Sequence, residues 1–154
     1  MDATKEVVVG NSRYQISRVD AETGSFLLYQ VLASLRKEMQ GDKEESEPQQ
    51  MVELSPEEKV KQVEGATSAM IQSLLMNADR SMFGRIQRDA LSCCGQFTAI
   101  GETEAVLPVL MASGKIAIPA LKNDIQTLVT LTQKSLEFNL LPFFSNGGFK
   151  QVMS

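Results

Sequence analysis

Histidine and tryptophan are absent from this chain, and cysteine occurs only twice. Without histidine there is no Ser-His-Asp or Cys-His nucleophile system and no imidazole metal ligand. Nor is there a side chain that ordinarily titrates near neutral pH. The two cysteines, Cys93 and Cys94, are neighbours. Alone they cannot furnish a four-ligand zinc site, and a bridge between adjacent cysteines is strained. They are expected as reduced, small, largely buried residues on a helix, because a buried free cysteine behaves as a small hydrophobe. Long apolar runs are missing too. No stretch reaches the roughly 18 residues that a membrane span needs. Met1 to Glu6 carries charges of both signs and leads into only three valines, without the apolar core of a signal peptide. A cytoplasmic protein is expected. Neither GxxxxGK[ST] nor GxGxxG occurs, so no phosphate cradle is declared.

What is present is enough for one folded unit. A chain of 154 residues, 43% hydrophobic, should hide roughly 70% of the surface its unfolded form exposes. The formal net charge is −4. That excess sits in one segment: Gly41 to Lys61 holds seven acids and three lysines, which leaves twelve bases and twelve acids elsewhere. No nucleic-acid footprint follows from such a balance. The acids of the segment are solvated neighbours of one another, a poor setting for a tuned catalytic carboxylate.

Three valines, a Gly10-Asn11-Ser12 turn and the alternation of Tyr14 and Ile16 with polar residues predict a β-hairpin over Glu6–Val9 and Arg13–Arg18. Val7, Val9, Tyr14 and Ile16 are its candidate buried residues. Leu28, Val31, Leu32, Leu35 and Met39 fall on one face of a helix from Gly24 to Met39. Asp42 to Gln50 has no apolar residue and is expected to be a flexible linker. Ser55-Pro56-Glu57-Glu58 has the form of a capping box with proline at the first helical position. The helix it opens carries Val60, Val63, Thr67, Met70, Ile71, Leu74 and Ala78 on one face. Gly65 inside it either costs stability or marks a close crossing. A third helix, capped by Asp79 or Ser81, is expected to run to about Cys94. Arg80, Arg85 and Arg88 lie off its apolar stripe, on a solvent face. A short helix is expected over Glu102–Met111. A long final helix should open at Pro119 and end near Leu140, followed by Leu141-Pro142-Phe143-Phe144 and a glycine-rich tail.

Two groups of side chains suggest contact with a partner. Met70, Met76 and Met82 flank the junction of two helices, and methionine suits surfaces that adapt to what they bind. Four of the seven phenylalanines lie between Phe138 and Phe149. The candidate partner-binding residues are Phe143, Phe144, Phe149, Met70 and Met82. If the rings of Phe143 and Phe144 are an anchor, replacing both by alanine weakens co-purification with the partner and spares the fold. If they are core, the same change unfolds the chain.

Three stretches carry a likeness: VVVGNSRYQISRVDAETGSFLLYQVL near the start, FGRIQRDALSCC in the middle and LEFNLLPFF before the glycine-rich tail. In these the chain resembles the tail assembly chaperones of long-tailed bacteriophages and prophages. The likeness covers most of the chain outside Gly41–Leu54. It implies a non-enzymatic protein that coats the tape-measure protein, helps recruit tail-tube subunits and is absent from the mature virion. In many such genes a frameshift yields a longer product. No cofactor, metal, nucleic acid or membrane is implied, and self-association is compatible.

The expected architecture is α+β and predominantly α-helical. An N-terminal β-hairpin packs on a small bundle of about four helices. Residues 1–154 form one domain, with an acidic linker at 41–54 and a tail from about 145. A structural tail protein (a tail-completion or tube component) or a helical adaptor unrelated to phage would share these features.

Overall fold

The computed structural model describes residues 3–41 and 55–145, with side chains for 3–34 and 55–144. The expected linker beyond Gly41 and the expected tail, Phe149 included, lie outside the described residues. The fold is α+β with helices predominating. Strands β1 (Thr4–Val9) and β2 (Ser12–Ser17) are followed by helices α1 (Ala21–Gly41), α2 (Pro56–Asn77) and α3 (Arg80–Leu91). Strands β3 (Cys94–Ile100) and β4 (Thr103–Pro108) come next, then a 3-10 turn (Pro119–Leu121) and helix α4 (Ile125–Ser145). The four strands form one antiparallel sheet in the order β1-β2-β3-β4.

Both hairpins have two-residue loops built the same way. Val9 pairs with Ser12 and Ile100 with Thr103. Gly10 and Gly101 have φ of 62° and 63°, and no other residue of either loop has positive φ. Glycine at the first loop position is the chemistry of a type II′ turn, whose twist suits the flanking strands. The first hairpin is the one the alternating pattern predicts, with Val7, Tyr14 and Ile16 on its buried face. The second replaces the short helix expected over Glu102–Met111. Thr103-Glu104-Ala105-Val106 holds enough helix-forming residues to suggest a helix, but Val106 is held opposite Phe97 and Leu107 opposite Gln96.

The joint between α3 and β3 also differs from expectation. The helix ends at Leu91, so the cysteines are not helical, and Cys94 is a strand residue facing Ile16. Gly95 follows because the strands approach closely here. A Cβ on it would lie 2.4 Å from a Val106 methyl and 3.1 Å from the Leu107 carbonyl oxygen.

Caps set most helix ends. Ser55 accepts from the Glu58 amide, and the Glu58 carboxylate accepts from the Ser55 amide, each at 3.2 Å. Asp79 rather than Ser81 caps α3, through the Met82 amide at 2.8 Å. Helix α4 does not open at Pro119. Asp124 caps it, accepting from the Thr127 amide at 3.1 Å and hydroxyl at 2.7 Å. Nor does it end at Leu140: it runs through Pro142 to Ser145. Proline at 142 has no N–H for the Phe138 carbonyl one turn back. The Arg18 guanidinium donates to that carbonyl instead, and stands 3.6 Å from the centre of the Phe138 ring.

Two apolar clusters share α4. Leu27, Val31, Ile71, Leu74, Ile86, Leu136, Leu140 and Phe144 unite the four helices. Val7, Tyr14, Ile16, Cys94, Val109, Leu121 and Leu131 join the inner sheet face to α4 and to the segment after β4. On α1, Leu27 takes the buried place next to Val31, with Leu28 beside it. Leu35 and Met39 lie outside the described side chains. Of the α2 stripe, Thr67, Ile71 and Leu74 are buried, whereas Val60 is exposed. On the outer sheet face Arg13 covers the Phe97 ring and pairs with Glu6 at 2.7 Å and with Glu104.

Candidate functional site

The candidate partner-binding residues come from three helices and meet at one cluster. Met70 on α2, Met82 on α3 and Phe143 on α4 are half-buried, each packed against the helical core. Phe144 is inside that core, 8% exposed, with its ring edge-to-face on Phe143 at 5.4 Å between centroids. Phe144 is therefore packing, and Phe143, Met70 and Met82 are the margin. Phe26, Leu28 and Leu75 border the same cluster from α1 and α2. Met76, grouped with Met70 and Met82 by sequence, points away and is 85% exposed. Of the three arginines on α3, Arg85 is also part of the margin, its guanidinium 4.3 Å from the centre of the Phe26 ring. A thioether beside a phenyl ring holds a surface that changes shape at small cost.

A second place was not foreseen. Cys94 is buried and Cys93 half-buried, and both line a cavity of about 410 Å³ with Arg18, Asp20 and Thr23. Its surroundings come from three parts of the chain. The Ser17 amide donates to the Cys93 carbonyl at 2.8 Å, joining β2 to the end of α3. Asn139 accepts from the Val19 amide at 2.9 Å. That contact fixes which end of its carboxamide is oxygen. The amide nitrogen then faces the Ser135 carbonyl at 3.0 Å and the Cys93 sulfur at 3.7 Å. The Ser135 hydroxyl is 3.2 Å from the same sulfur and 2.6 Å from the Ala90 carbonyl.

The Cys94 thiol, first, and the Asn139 amide lower Cys93 below the ordinary thiol value, against the effect of its burial. The Ser135 hydroxyl gives its proton to the Ala90 carbonyl, which the Cys93 thiol also meets at 3.2 Å. Cys94 is pushed up by the same pairing and by its own desolvation. The vicinal thiols differ in burial and in direction of shift, although both line the cavity. Asp20, on that wall, is held below the usual carboxylate range by the Thr23 hydroxyl and amide. The polar groups of Ser135 and Asn139, one helical turn apart, reach Cys93 only once α4 lies against it.

Among the described residues no cluster of three or more His, Cys, Asp or Glu side chains is placed to hold a metal ion. No helix among them is long and apolar enough to cross a membrane. Comparison with protein-family models, curated proteins and solved structures gives no match.

Proposed function

We propose that the protein is a tail assembly chaperone of a long-tailed phage or prophage, acting by binding the tape-measure protein and tail-tube subunits. The observation that carries the binding part is the gathering of Met70, Met82 and Phe143, from three helices, at the margin of one core. A tape measure is a long helical chain with apolar stripes. Such a stripe is received by an apolar helical surface whose side chains can adjust. The phage assignment rests on the likeness of the three stretches described above. The protein would work in the host cytoplasm and be absent from the finished particle.

The test is co-expression with a phage tape-measure protein. Met70→Ala with Met82→Ala should lower the tape measure recovered with the chain while thermal unfolding stays cooperative. Recovery equal to wild type would remove the margin as the binding surface. Mass spectrometry of purified particles should find no copies of the chain, and stoichiometric copies would make it a structural tail component instead.

A further inference from the structure

A second surface has a different chemistry. Between the first half of α2, the last half of α4 and the start of β1 lies a groove of about 710 Å³. Phe138, Leu141 and Pro142 are its apolar lining. Its cations are Lys5 from β1, Lys61 from α2, Lys134 from α4 and Arg18, whose guanidinium lies on Phe138. Glu64 and Glu137 also line it, so four cations face two carboxylates. Glu137 accepts from Gln133 at 3.2 Å, and Gln133 reaches across to the Ser68 hydroxyl at 3.2 Å, tying α2 to α4 along the groove. Among the described residues the three lysines make no ion pair. Cations around one concave surface reinforce each other's field more than the same charges on a convex one.

Gly65 adds an independent observation. It sits in the middle of α2 on the wall of this groove, and a Cβ there would meet nothing within 4 Å. Among the described residues no element crosses closely at it, and its φ is not positive. Their packing gains nothing from glycine at this position, which costs about 1 kcal/mol relative to alanine. What the glycine does is keep the wall low where the groove is open.

We propose that this groove docks an acidic amphipathic segment of a partner polypeptide. Its apolar side chains lie on Phe138, Leu141 and Pro142, and its carboxylates meet Lys5, Lys61 and Lys134. The complement is polypeptide rather than nucleic acid because Leu141 and Pro142 offer aliphatic surface that apolar side chains cover and a phosphodiester chain does not. The proposal is separate from the methionine margin and holds whether or not the partner is a tape measure.

The test uses the full chain and three fluorescent probes read by anisotropy. One is a short synthetic amphipathic helix with leucines at helical spacing flanked by glutamates. The second is its glutamine counterpart, and the third a single-stranded oligonucleotide of equal charge. The acidic helix should bind best, and more weakly as salt rises. Lys61→Glu with Lys134→Glu should weaken it roughly tenfold or more. Gly65→Leu, which fills the wall, should weaken it to a similar degree while the melting temperature holds or rises. Equal binding by wild type and variants, no binding of the acidic helix, or preference for the glutamine helix or the oligonucleotide would each overturn the proposal.

Discussion

Helix α4 passes through two cores that are built differently. Its first half, through Leu131, closes the sheet cluster, where Tyr14, Ile16 and Val109 leave almost no exposed surface. Those are β-branched or ring side chains with few rotamers, and backbone bonds from Ser17 to Cys93 and from Val109 to Cys94 bind the surrounding segments together. Its second half, through Leu136, Leu140 and Phe144, closes the helical cluster, whose edge is left to Met70, Met82 and Phe143. Both clusters have a half-buried apolar margin, and the helical one differs in carrying methionine, a side chain that repacks at small cost.

The largest expected effects would show whether the two cores stand together. Leu131→Ala in the sheet cluster and Leu136→Ala in the helical one each remove a fully buried side chain, and each should cost about 2–5 kcal/mol. Because one helix carries both, circular dichroism and tyrosine fluorescence should report one shared transition for either variant in urea. Two separated transitions would break the picture of a common helix. Phe144→Ala should cost about 3–5 kcal/mol, so Phe143→Ala combined with Phe144→Ala is expected to unfold the chain before it tests binding. Phe143→Ala alone should leave a cooperative melt.

Arg18 sits where the two ends meet. Arg18→Leu leaves the Phe138 carbonyl opposite Pro142 without this donor, a loss of about 1–3 kcal/mol. Urea titration should detect it, with α4 frayed beyond Phe138 in hydrogen exchange. Protection unchanged after Phe138 would mean that Arg18 does not support the last turn.

Cys93 gives a smaller, pH-dependent effect at the sheet end. Its folded value lies below the ordinary thiol value. The associated stability is therefore present above the ordinary value and is lost as pH falls through the folded one. Alkylation by iodoacetamide should set in at lower pH than for an ordinary thiol and modify Cys93 ahead of Cys94, as read by peptide mass spectrometry. Cys93→Ser should flatten the stability profile between those limits. Equal labelling of both cysteines would erase the distinction. The smallest effect belongs to the helical end, where Gly65→Ala should raise stability by up to about 1 kcal/mol, visible as a higher melting temperature.

Local chemistry made some of this legible. The first hairpin could be located because Gly10 and the Tyr14–Ile16 alternation act over a few residues. The Ser55–Glu58 box and the Asp79 cap were visible because a cap bonds to an amide two or three residues away. Thr67, Ile71 and Leu74 could be placed on a buried face from helical spacing alone. The second hairpin was hidden, since Thr103 to Pro108 is short and contains residues that suit a helix. Its strand state depends on pairing with β3, and β3 depends on β2. Gly65 could be noticed in sequence, yet only its empty surroundings distinguish a groove wall from a helix crossing. The methionines could be grouped, but Met76 and Met70 parted company because they stand on opposite sides of one helix.

The amino-acid sequence by itself determined the Ser55–Glu58 capping box, the first hairpin, most of the helices, the lack of imidazole chemistry and the concentration of negative charge in one segment. Each of these follows from neighbours in the chain or from composition. Tertiary structure alone decided that residues 94–108 join the sheet, that α4 continues through Pro142 and that Phe144 is core while Phe143 is margin. It also left one of two adjacent cysteines half-buried and the other buried. Those outcomes need groups far apart in the chain: Ile16 opposite Cys94, Arg18 on the Phe138 carbonyl, Ser135 and Asn139 beside Cys93. Their energies exist only once the chain has closed on itself.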